Sequence, residues 1–99
     1  MKREQVYEAI DTERAFQDFK WGSIDEHPHE VGAWLTILHG LIHKAQIAWS
    51  ESNGDVRALQ YIRKIAGVAV ACSEQHGIKR RSPIEYKDRM RDNMRDIKP

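Results

Sequence analysis

Apolar residues recur at three- and four-residue steps through most of this chain, and short runs of glycine, proline and small polar residues separate the repeats. That period is the mark of amphipathic helices. It predicts an all-α domain with a three-helix core packed as an antiparallel bundle, followed by a charged fourth helix. The first helix is expected over residues 3–20, where Val6, Ala9 and Ile10 share a face. One turn further along, that face continues with Glu13 and Gln17 beside Phe16. A carboxylate placed on an apolar stripe requires a cation, a hydrogen-bond network or water, because an unpartnered buried charge costs several kcal/mol.

The segment 21–28 reads as a loop. Gly22 is suited to ending a helix, and Ser23, Asp25 and Pro28 supply turn chemistry. The second helix, residues 29–51, carries the strongest periodic signal, from Val31 and Trp34 through Leu41 and Ile42 to Ala48 and Trp49. Gly32, Thr36 and Gly40 form a second row of small residues that would let another helix come close. After a turn around Ser50–Gly54, a third helix is expected over 55–76. Its centre, IAGVAVAC, is apolar on nearly every side and so is expected to be the most buried element. Gly77 is a natural stop. Ser82, Pro83 and Glu85 form a capping box with proline at the first helical position, so a fourth helix is expected to start there. Its apolar seam, Tyr86, Met90, Met94 and Ile97, is thin. The expected division is a core of residues 1–78 and a charged tail of 79–99.

Composition narrows the function classes. The 99 residues suit one small domain, and 40% hydrophobic with 31% charged residues fits a globular chain. The formal net charge of +1 gives no global basic field for nucleic acid. Cys72 is the sole cysteine, so an intrachain disulfide is impossible and a reducing, cytoplasmic setting is expected. No apolar signal core opens the chain. His39, His43 and Lys44 interrupt the best candidate for a membrane span, so no membrane association is expected.

The candidate chemistry concentrates at the end of the first helix. Glu13, Arg14, Gln17 and Lys20, with Trp21 at the edge, could read a base edge, contact phosphate and stack on a ring. The plainer reading pairs Glu13 with a cation from another helix and leaves Phe16 and Trp21 to close the core. His29, close to His27 and Glu30, could ligate a metal or belong to a solvated loop. His39 and His43, one turn apart, could face an anion or a metal, or form a polar face or subunit contact. Arg57, Tyr61 and Lys64, with Arg63 nearby, make a polar ridge that could hold a nucleotide or merely face water. Cys72 reads as a small buried hydrophobe.

The string Glu13-Arg14-x-x-Gln17-Asp18-x-Lys20-Trp21-Gly22, followed by His27, His29 and Gly32-x-Trp34, resembles small phage and prophage proteins grouped as MazG-like. The stretch Ile62–Ala71 is similar to their last core helix. The resemblance implies an all-α fold related to nucleotide pyrophosphatases, assembled as dimers or tetramers. It also implies Mg²⁺ held by a Glu-x-x-Glu pair on one helix and a Glu-x-x-Asp pair on the next. This sequence departs from that pattern: the second helix offers Thr36, His39 and His43, and the third offers Gln60, Arg63 and Lys64, with Glu74 only near its end. The reading that follows is a homo-oligomeric phage protein that binds a nucleotide or cyclic nucleotide without turnover, through Glu13, Arg14, Gln17, Lys20, Trp21, His29, His39 and His43, and so blunts a host defence. The alternatives are a Mg²⁺-dependent pyrophosphatase with a displaced acidic site drawn from Glu13, Asp18 and Glu30, and a helical protein-interaction module. No other cofactor is implied.

Overall fold

The computed structural model describes residues 1–51 and 54–82. Three helices make up the regular structure of these residues: α1 Arg3–Trp21, α2 Val31–Ser50 and α3 Gly54–His76. The expected fourth helix falls on residues outside the described set. All three helices lie within a residue or two of their expected bounds. The main differences are that α1 takes in Trp21 and α2 begins at Val31, after His29 and Glu30. The Gln5 side chain accepts the Lys2 backbone N–H at 2.8 Å and fixes the start of α1. Gly22 ends that helix at φ 89°, a conformation that a side chain would strain. No helix among the described residues is long and apolar enough to cross a membrane.

The α2 and α3 helices pack as an antiparallel hairpin. At one end the Trp49 indole N–H donates to Asp55 at 3.0 Å, and Arg57 pairs with Glu51. At the other end the Trp34 indole N–H donates to Gln75 at 2.9 Å. Between these ends Trp34, Ala45 and Ala48 of α2 and Ala71 of α3 are buried. Small residues dominate that list because the two backbones lie close together; the apolar gain per contact is correspondingly modest.

The α1 helix packs on α3 but not on α2. Its two buried residues are Glu13 and Arg14, not apolar ones. The point of closest approach is Gly67, where an added Cβ would stand 2.7 Å from the Gln17 amide nitrogen. With α1 set apart from α2, the described core has no third wall. The consequence is visible on α3: Gly67 and Ala71 are buried, yet Ile62 and Val70 are exposed. The expectation of α3 as an enclosed element therefore holds on one side only. Its apolar residues run round the whole helix, and the described helices cover only part of that circumference.

The Gly32 and Gly40 row meets nothing within 4 Å of where a Cβ would stand. It mediates no close approach within the described residues. Cys72 is half-buried.

The Gly67–Gln17 contact gives a double-mutant prediction. Alone, Gly67→Ala gains helix propensity but displaces the Gln17 amide, and the two effects nearly cancel. In a Gln17→Ala background the obstruction is gone, and Gly67→Ala should stabilise by about 1 kcal/mol. Urea unfolding of the four chains measures the difference; strict additivity would disprove the contact.

Candidate functional site

The gap between α1 and α2, floored by α3, is an open cleft of about 910 Å³. The C-terminal half of α1 and the loop after it form one wall, and Trp34, Ile37, Leu41 and Lys44 of α2 form the other. Tyr61, Arg63, Lys64, Val68 and Ala71 of α3 lie beneath. Of the residues singled out in the sequence, Glu13, Arg14, Gln17, Lys20, Trp21 and His29 line this cleft. His39 and His43 do not; both are exposed on α2, away from it.

A polar joint holds α1 to α3. The buried Glu13 carboxylate accepts from Arg63 Nε at 2.7 Å and from Gln17 Nε2 at 3.2 Å. The same Gln17 nitrogen donates to the Lys64 carbonyl at 3.2 Å, so one amide ties side chain to backbone across the interface. Next to it, the Arg14 Nε donates to Glu74 at 2.6 Å and its Nη1 meets Asp18 at 2.9 Å. Burial opposes the charge on Arg14, but Glu74 and Asp18 outweigh it and hold the guanidinium more basic than usual. No buried side-chain nitrogen or oxygen among the described residues lacks a partner. The joint is thus a satisfied network, the condition under which buried charge is tolerated.

Two consequences follow for the charge facing the cleft. Its two lining carboxylates, Glu13 and Asp18, are paired with Arg63 and Arg14, the latter shared with Glu74. Lys20, Lys44 and Lys64 line the same space, and among the described residues none has a carboxylate within ion-pair distance. Two of these lysines rest on aromatic rings instead. Lys20 Nζ lies 4.9 Å from the Trp21 ring centroid and 5.9 Å from that of Phe16. Lys64 Nζ lies 5.0 Å from that of Tyr61. Such contacts hold the ammonium near the ring while leaving its N–H groups available. The cleft therefore has a positive excess that the overall charge of +1 conceals.

The loop after α1 is anchored by Gln75, near the end of α3. Its Oε1 accepts the His29 backbone N–H at 3.0 Å as well as the Trp34 indole, and its Nε2 donates to the His29 carbonyl at 2.5 Å. The His76 ring nitrogen also meets that carbonyl, at 2.8 Å. The His29 ring stands edge-on to Trp34, with centroids 4.9 Å apart. Gln75 went unremarked in the sequence, and Lys44 stood out there only as a charge that breaks an apolar run. A glutamine near a helix end and a lysine on the flank of an amphipathic helix have no local signature, and only the tertiary contacts give them roles.

Glu13, Asp18 and Glu30 do not assemble into an acidic site. No group of three or more His, Cys, Asp or Glu side chains among the described residues could hold a metal ion. A hard dication such as Mg²⁺ needs several carboxylate oxygens, and those nearest the cleft are already bound to arginine. These residues do not fit the Mg²⁺ that the resemblance implies. No family model, curated protein or solved structure matches the chain.

Gln75→Ala should cost about 2 kcal/mol, because it strips three hydrogen bonds and orphans the buried Trp34 indole N–H. Chemical denaturation measures the loss, and amide exchange at His29 should accelerate with it. A variant as stable as the parent, with unchanged exchange, would remove Gln75 as the anchor.

Proposed function

We propose that this protein binds a phosphate-bearing small molecule of the nucleotide class in the cleft between α1 and α2, and holds it without turning it over. The observation that carries this reading is the set of three lysines with no acidic partner among the described residues, set around an aromatic-lined space. Lys20, Lys44 and Lys64 supply donors for phosphate oxygens. Trp21, 67% exposed at the cleft edge, supplies a face for a base. The volume lies within the range of small-molecule sites. A ligand with more than one phosphate or base suits a cleft of this volume with three lysines around it, and a cyclic or signalling nucleotide is the form we favour.

Binding is favoured over hydrolysis by the state of the acids. A carboxylate engaged by an arginine at 2.7 or 2.9 Å is poorly placed to hold Mg²⁺ or to activate water. The likeness to MazG-like phage proteins supports the same ligand class and suggests a setting: a phage-encoded protein in the host cytoplasm, working as a homo-oligomer and withdrawing a defence signal by mass action. On this reading Glu13, Arg14 and Gln17 build the wall, while Lys20, Trp21, Lys44 and Lys64 touch the guest.

Calorimetry of the full chain against a panel of linear and cyclic nucleotides tests the proposal. Lys20→Ala and Lys64→Ala should each weaken binding about tenfold, equivalent to about 1.4 kcal/mol per lost charge-assisted contact. Trp21→Ala should weaken it by about 1–3 kcal/mol through lost stacking. Affinity should fall as salt is raised, since exposed lysines are screened. Failure of the whole panel to bind, or unchanged affinity in both Lys20→Ala and Trp21→Ala, would end this reading.

A further inference from the structure

The α2–α3 hairpin has a second side, which no residue of α1 reaches. There Leu35, Ile42 and Trp49 stand seven residues apart along α2, so they form one stripe down the helix. Ile62 of α3 lies across a groove of about 520 Å³ from Ile42 and Trp49, and Leu59 is one turn before it. Exposure is 59% for Leu35, 46% for Ile42, 63% for Trp49, 63% for Leu59 and 52% for Ile62. The groove residues are Ile42, Ala45, Gln46, Trp49, Ser50, Ile62 and Ile65, none of them ionisable.

We infer that this face is a self-association surface, on which the α2–α3 hairpin of a second copy packs about a two-fold axis. Three observations select a second copy. First, five large side chains each leave on the order of 100 Å² in water, about 500 Å² in one patch. A stable interface takes about 800 Å² from each partner and is about two-thirds apolar when it joins like subunits. The patch supplies that apolar share. Second, an isologous contact needs a surface complementary to itself, and this one carries both a ridge and a groove. Third, the groove has no charge to complement, so nothing on it selects a partner of opposite sign. Each hairpin would bury the other's apolar side, and four helices would close the core that the described helices of one chain leave open.

This inference names the surface behind the oligomer proposed above, and it stands apart from the ligand reading because the two are measured differently. Sedimentation velocity on the full chain over a broad concentration range should give at least twice the single-chain mass of 11.5 kDa. Ile42→Glu should bring it to the single-chain mass while far-ultraviolet circular dichroism stays helical. Leu35→Glu, at a more exposed point of the same stripe, repeats the test should Ile42→Glu fail to fold. Phe19→Ser, off this face, should leave the mass unchanged. A parent chain that stays at single mass at every concentration overturns the inference, including the case in which Trp49 is nevertheless shielded from a soluble quencher and residues 83–99 are the cover. Folded Ile42→Glu and Leu35→Glu chains that keep the parent's mass overturn it too, since another surface would then join the copies. Nucleotide binding by the single-mass variant would leave the cleft reading standing by itself.

Discussion

The attachment of α1 to α3 through charge and amide contacts governs the rest of this structure. Glu13, Arg63, Gln17 and the Lys64 carbonyl form one closed set, and Arg14 with Asp18 and Glu74 forms another. Polar contacts are directional, whereas apolar packing is not. A helix held by greasy side chains would settle into the groove of the α2–α3 hairpin and fill it. Held instead at a few fixed atoms, α1 stays off α2, and the space between them survives as a cleft.

The same network sorts the charges. Each acid that lines the cleft is matched to an arginine, whose planar fork suits a carboxylate. The lysines are left facing the open space, where a compact ammonium on a flexible stem can follow the oxygens of a guest. Aromatic rings beside Lys20 and Lys64 restrain those stems at little cost to hydrogen bonding. Gln75 does for the loop what Gln17 does for the helix: a side-chain amide joins two segments far apart in sequence, Gln17 through its donor nitrogen and Gln75 through donor and acceptor together. The electrostatic character of the cleft is therefore set by which cations are used up in holding the fold.

The two sides of the hairpin differ in kind. One bears the polar joint and the cleft; the other carries a groove lined by no ionisable residue and left uncovered among the described residues. Among the described residues the core is chiefly alanine, one glycine and one tryptophan, which draws the helices close but gains little hydrophobic free energy. A domain of this size built so sparely has good reason to draw on association.

The helices were legible in the residues because periodicity and end signals are local. Val31 to Trp49 marked α2, Gly22 and Gly77 closed α1 and α3, and each bound fell within a residue or two. Glu13 and Gln17, interrupting an apolar stripe, announced that α1 would need polar partners. The sequence could not say which cation would answer, because Arg57, Arg63 and Lys64 are equivalent until the crossing of α1 on α3 is known; the fold chose Arg63. Nor could it separate His29, which lines the cleft, from His39 and His43, which do not, since that depends on which face of α2 turns toward α1. The sequence by itself determined the helices and the need for a polar joint, because both are written in neighbouring residues. The tertiary structure alone decided that the joint holds α1 away from α2, because a gap between two helices depends on a third and has no local code.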